Sequence, residues 1–191
     1  MRAAGPAART ARGRYTAVAI VLHWLTAVIV IGNLAGGLTL ARFFDSPDPA
    51  MVAWGRTIIG LHKSLGLTVI ALTLVRIAWR LGHARPPLPG HMTSLERMLA
   101  RATHLLFYVL LLALPISGWA MMSTGRTVRP TRVFGLVSIP PLPVTQQLGA
   151  MFGDGHELLG WAMLATIVLH ISAAVKHQFF DRDELLARML P

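Results

Sequence analysis

Cysteine is absent from all 191 residues. That excludes a disulfide framework, a thiolate-held iron–sulfur cluster and a haem attached covalently through C-x-x-C-H. Charge is also scarce: Asp, Glu, Lys and Arg make up 14% of the chain, where a soluble domain carries about a quarter. Acidic residues are the rarest of these, eight against eighteen Lys and Arg. With hydrophobic residues at 54% and a mean hydropathy of +0.57, a disordered tail, a fibrous repeat and an ordinary water-soluble enzyme are excluded. The composition indicates an integral membrane protein. In a soluble chain the net charge of +10 would point to nucleic acid. No nucleic-acid partner is expected here, because most of the basic residues flank apolar runs.

Four stretches are long and apolar enough to cross a bilayer, which takes roughly 20 residues. They run from Tyr15 to about Leu40, from about Thr57 to Leu81, from about Ala102 to Thr124, and from about His156 to Phe180. Pro115 is expected to kink the third. The connections read as loops: the F-D-S-P-D-P break at Phe44 to Pro49, the R-P-P-L-P-G run within Gly82 to His91, and Gly125 to Gly155. The last is too apolar to be merely solvated and is expected to fold back over the mouth of the bundle. The small residues near Leu34 to Gly37 resemble a signal-peptide cleavage site only weakly, and the apolar run before them is too long for one. The first stretch is therefore expected to remain as a span.

Orientation follows from counting Lys and Arg on alternate sides. Twelve fall on the side of the two termini: Arg2, Arg9, Arg12, Arg14, Arg76, Arg80, Arg85, Arg97, Arg101, Lys176, Arg182 and Arg188. Six fall on the other: Arg42, Arg56, Lys63, Arg126, Arg129 and Arg132. A multi-pass membrane protein with both termini in the cytoplasm is expected.

Ionisable side chains at membrane depth are costly and mark function by default. His23 sits in the first span, His62 in the second, His104 in the third, and His156, His170 and His177 in or at the end of the fourth. His156 and His170 are 14 residues apart, which places them on nearly the same helix face and about 21 Å apart along the axis. His23 lies about 12 Å in from the cytoplasmic end, at the depth of His170. His62 enters from the other side, beside His156. Two pairs at two depths result. Zinc wants four ligands, or three and an open position, which neither pair offers. Two facing imidazoles suit a six-coordinate b-type haem lying between helices. Gly66 and Gly160, each one turn after His62 and His156, either make room for a haem ring or serve ordinary close helix packing.

The segment R-Y-T-A-V-A-I-V-L-H-W-L from Arg14 to Leu25 resembles the opening helix of the bacterial cytochrome b561 family. G-L-H-K-S-L-G at Gly60 to Gly66, A-L-P-I-S-G at Ala113 to Gly118, G-H-E-L-L-G at Gly155 to Gly160 and L-H-I-S-A-A-V-K-H at Leu169 to His177 are similar to its later signatures. The resemblance implies an all-α membrane protein, a four-helix bundle enclosing two b haems. His23 and His170 would ligate the inner iron, His62 and His156 the outer one. It implies a four-helix domain over residues 15–180, with a basic cytoplasmic tail at 1–14 and a short one at 181–191. It further implies a membrane haem oxidoreductase passing electrons from a periplasmic donor to the quinone pool. In the branch of small single-subunit members, superoxide is the donor, oxidised to oxygen, and ubiquinone the acceptor.

Several other residues are open to two or more readings. Arg76, 14 residues after His62, suits a haem propionate or snorkels to the headgroups. Arg126, Arg129 and Arg132 hold propionates of the outer haem, guide an anionic donor, or form a solvated loop. His104 is an alternative ligand, a quinone or proton-handling group, or a structural histidine. His177, with Lys176 beside it, hydrogen-bonds a quinone and passes a proton, or anchors the helix end. Neither tail is long enough for a large docking surface, so the expected partners are lipid, quinone and a small anion, with no obligatory protein partner. The alternative is a cytochrome b subunit wiring a soluble dehydrogenase or hydrogenase to quinone.

Overall fold

Four short side chains decide where the helices begin. In the computed structural model, which describes residues 13–84, 86–87, 90, 92–125, 128–183 and 185–190, Thr16 accepts a hydrogen bond from the Ala19 N–H and Asp48 from the Ala50 N–H. Thr93 accepts from Glu96, whose carboxylate returns the contact to the Thr93 N–H, and Thr145 accepts from Leu148. Each satisfies backbone donors that the first helical turn leaves without partners. The helices that follow are α1 (Ala17–Phe44), α2 (Pro49–Gly82), α3 (Ser94–Met122) and α4 (Gln146–Lys176). All four are long and apolar enough to cross a membrane.

Three of the four start earlier than their apolar runs imply. α2 begins at Pro49 rather than near Thr57, α3 at Ser94 rather than near Ala102, and α4 at Gln146 rather than at His156. Hydropathy registers only the part of a helix that lies in hydrocarbon, whereas its cap lies in water. The Asp-Pro that reads as a break is a helix start, with Asp48 as N-cap and Pro49 at the first helical position, where its missing N–H costs nothing.

α1 packs along α2, α2 along α3 and α3 along α4, whereas α1 and α4 make few close backbone approaches among the described residues. The core is small: Val69, Leu110, Leu111 and Met163, with Val30, Leu34 and Phe107 packed against them. Large apolar side chains elsewhere face outward, among them Val21, Leu105 and Leu169. Exposed apolar surface of that extent is incompatible with water and is the surface a bilayer requires.

The two ends are closed differently. At the terminal end, the Tyr15 N–H donates to the Arg188 carbonyl, the Trp24 indole N–H to the Met189 carbonyl (2.7 Å) and the Arg14 guanidinium to the Leu190 carbonyl (2.7 Å). The C-terminal segment thus folds back onto the start of α1, after a π-helical turn at His177–Asp181 and a 3-10 turn at Ala187–Met189. Residues 1–12, the greater part of the basic N-terminal tail, lie outside the described residues.

At the other end, strands β1 (Thr131–Val133) and β2 (Val137–Ile139) form an antiparallel hairpin with Thr131 opposite Ile139. Its turn places Phe134 and Gly135 at φ of 50° and 74°, the two left-handed positions a tight hairpin requires. The Phe134 N–H donates to the buried Ser64 hydroxyl of α2 (3.0 Å), the Trp119 indole to the Pro140 carbonyl, and the Leu142 N–H to the Ser123 hydroxyl. The apolar loop does fold back on the bundle. Ser64 lies about 200° around α2 from His62, so the hairpin braces the far side of that helix.

Gly149 of α4 packs closely on a residue just past the end of α3, where a Cβ would run into the Thr124 side chain. Gly149→Leu is expected to lower stability by about 1–3 kcal/mol, the usual cost of overpacking. Gly153→Ala, whose Cβ would meet Met121 at an ordinary 3.9 Å, leaves it nearly unchanged. Thermal unfolding of the two variants in detergent, read against the parent, checks this.

Candidate functional site

A seven-residue step advances two helical turns and returns to nearly the same face. Each of the four helices carries three interior positions at that step: His23, Val30 and Gly37 on α1; His62, Val69 and Arg76 on α2; His104, Leu111 and Gly118 on α3; His156, Met163 and His170 on α4. Side by side, these form three layers about 10.5 Å apart. The layer nearest the termini holds His23, Arg76, His104 and His170. The middle layer is apolar. The layer nearest the hairpin holds His62 and His156 with Gly37 and Gly118.

In the hairpin layer the ring centres of His62 and His156 are 6.1 Å apart with their planes crossed at 79°. Each ring is held by its Nδ1. His62 Nδ1–H donates to the Asn33 carbonyl (3.1 Å). His156 Nδ1–H donates to the Ser117 hydroxyl (2.9 Å), which itself donates to the Leu114 carbonyl (2.7 Å). Both rings therefore present a bare Nε2, the state in which imidazole binds a metal. The two glycines supply the space. A Cβ on Gly37 would lie 2.8 Å from His62 Cε1, and one on Gly118 would lie 2.9 Å from His156 Cε1. Gly66 and Gly160 face Pro115 at 3.7 Å and Leu34 at 3.8 Å, ordinary helix-packing distances. The glycine that clears a ring sits on the helix opposite it, where spacing along one helix cannot reveal it.

In the terminal layer the His23 and His170 ring centres are 6.3 Å apart. His104 brings a third ring to 5.7 Å from His170, and Phe107 stands at 5.2 Å. Arg76 donates to His23 Nδ1 (3.2 Å). The middle layer separates the two pairs with apolar side chains, Val69 at 4% and Met163 at 1% exposure.

Of the other residues singled out from sequence, Lys176 pairs with Glu96 (2.9 Å) and Asp181 (2.6 Å), tying the start of α3 to the end of α4. His177 Nδ1 contacts Asp183 (2.8 Å) and Asp181 (3.0 Å). It stands apart from the terminal pair, seven residues beyond His170 and at the start of the π-helical turn that follows α4. Arg129 and Arg132 are exposed, Arg132 on β1 opposite Ser138. Arg126 lies outside the described residues. Trp54, Trp79 and Trp119 lie towards helix ends as in an interfacial belt, the Trp79 indole donating to Thr16, whereas Trp161 sits midway along α4 with its indole on Glu157.

Residues 14–191 match the family model described as prokaryotic cytochrome b561. Cytochrome b561 homolog 2 of Escherichia coli (strain K12) is 35% identical over 181 residues, covering 93% of this chain and 91% of that one. The probable superoxide oxidase CybB of Yersinia pestis is 29% identical over 182 residues, covering 93% and 96%. Cytochrome b562 of Cereibacter sphaeroides is 29% identical over 182 residues, covering 92% and 94%.

This family implies b-type haem, and the side chains fit it. Two imidazoles on opposite sides of one metal ion, each bonded at about 2.0–2.1 Å, hold their ring centres about 6 Å apart, as both pairs do. With no cysteine in the chain, thiolate ligation is excluded, and the paired side chains at these two depths are imidazoles. Gly118→Leu is expected to push His156 out of line and lower the haem bound per chain, whereas Gly160→Ala leaves it unchanged. A pyridine haemochrome assay on purified protein checks both.

Proposed function

Because this chain belongs to the prokaryotic cytochrome b561 family, whose members are membrane haem proteins of electron transfer, we propose that it carries electrons across the bacterial inner membrane between two b haems. The observation that carries this is the stacking of two His–His pairs, 6.3 Å and 6.1 Å between ring centres, on helices that all cross the membrane. His23 and His170 hold the haem near the termini and the cytoplasm. His62 and His156 hold the one near the hairpin and the periplasm. Bound haem supplies a one-electron couple at each level. His104, 5.7 Å from His170 between ring centres, would stand beside the haem held by His23 and His170 rather than hold it.

The donor is superoxide and the acceptor ubiquinone. Two superoxide ions each release one electron and leave as oxygen. The two electrons and two protons convert one ubiquinone to ubiquinol. The relative from Yersinia pestis named a probable superoxide oxidase supports this donor. The basic residues of the hairpin loop, Arg126, Arg129 and Arg132, offer an anion an attractive field and require no acid or base. Protons reach the quinone from the cytoplasmic side. His177, with Nδ1–H on Asp183, would as the imidazolium offer Nε2–H to a quinone carbonyl and pass it that proton, and Lys176 with its carboxylate partners stands beside it.

Stopped-flow mixing of the purified protein with superoxide tests the proposal. Haem reduction should outrun spontaneous dismutation, and added ubiquinone should reoxidise the haem. Reduction no faster than dismutation sinks superoxide as donor. Combined Arg129→Gln and Arg132→Gln should slow the reduction step by roughly tenfold at low salt and less at high salt, with haem content unchanged.

A further inference from the structure

The inward stripe of α2 runs His62, Gly66, Val69, Thr73, Arg76, Arg80, stepping by four and three residues. Its last three members do not resemble the rest. Thr73 is wholly buried, and its hydroxyl has no hydrogen-bond partner among the described residues. Arg76 and Arg80 are only half-buried but sit on a helix at membrane depth. Their guanidinium groups lie 5.8 Å and 4.9 Å from the centre of one ring, that of Tyr108 on α3. Among the described residues neither forms an ion pair with a carboxylate. Arg76 has only the neutral His23 Nδ1 as acceptor (3.2 Å); two guanidinium groups without a counter-charge at that depth are costly, and a hydroxyl without a partner adds to the cost. Planar guanidinium forks suit carboxylates, and a b haem carries two, its propionates.

We infer that Arg76 and Arg80, spaced by the Tyr108 ring and assisted by the Thr73 hydroxyl, form the dock for the propionates of the haem held by His23 and His170. The inference rests on the two-haem reading above. Tyr108 is a positioning residue, since it acts through the arginines. Around the hairpin pair α2 brings a single cation, Lys63 beside His62, and the positions one turn either side of that histidine are Ile58 and Gly66. The two sites therefore differ in charge. A fixed cation beside a haem favours the reduced form, and its removal favours the oxidised one.

Equilibrium redox titration of the holoprotein in liposomes, followed by haem absorbance, reads this. His23→Ala first identifies the component belonging to the terminal pair. Arg80→Gln should then lower that component's reduced-to-oxidised ratio at fixed potential by roughly tenfold, equivalent to about 59 mV for one electron, and leave the other component in place. Arg80→Lys should restore most of the shift. Tyr108→Leu should move the same component in the same direction by less, and Tyr108→Phe should not move it. If Arg80→Gln fails to assemble, the Tyr108 pair and Arg80→Lys carry the test. Both components unmoved in every variant overturn the dock while leaving two haems in place. So does an effect seen only as altered stability in liposomes rich in anionic lipid, which would give the arginines to lipid phosphate. A wild-type titration lacking any component that His23→Ala removes overturns the two-haem reading itself.

Discussion

An imidazole placed at membrane depth has two nitrogens and no water to satisfy them. His62 and His156 each spend one nitrogen on the protein, through Asn33 and Ser117, and hold the other bare towards a partner ring. Much of the bundle follows from that arrangement. The Nδ1 contacts fix each ring's rotation and tautomer, which is what makes a histidine a metal ligand rather than a stranded polar group. Gly37 and Gly118 are confined to hydrogen side chains because anything larger would occupy the ring's volume. The separation of α1 from α4 follows too, since the terminal pair spans those two helices.

The seven-residue layering links this local chemistry to the whole. Polar layers at two depths are tolerable only if something dry lies between them, and Val30, Val69, Leu111 and Met163 supply it. Lipid covers the outside, so stability cannot come from burying apolar area against water. It comes from close contacts such as Gly149 against Thr124 and from capped helix ends. The caps matter functionally as well. Glu96 completes the capping box with Thr93 and also pairs with Lys176, holding the ends of α3 and α4 together beside the terminal layer.

Much of this was legible in the residues. Four apolar runs announce four spans, and rise per residue alone puts His23 at the depth of His170 and His62 at that of His156. Features that depend on contact between helices were not legible. Gly37 reads as a small residue in a weak cleavage-like segment until His62 of the next helix is seen against it. Arg80 reads as one more basic residue at a helix end, and only Tyr108 beside it gives it a fixed place. The loop after α3 reads as irregular because its strands are three residues each and its turn sets a phenylalanine, not the usual glycine or asparagine, at a left-handed position. The one pattern available without a structure, and easily passed over, is the seven-residue recurrence on all four helices. It shows only when the four sequences are laid antiparallel.

Electron paramagnetic resonance of the oxidised protein, with haem and protein quantified on the same sample, tests the central claim most directly. Two bis-histidine sites predict two haems per chain and two distinct low-spin ferric signals, each lost in a one-electron step on reduction. A single haem per chain, or a high-spin signal from an iron with one histidine, would contradict it.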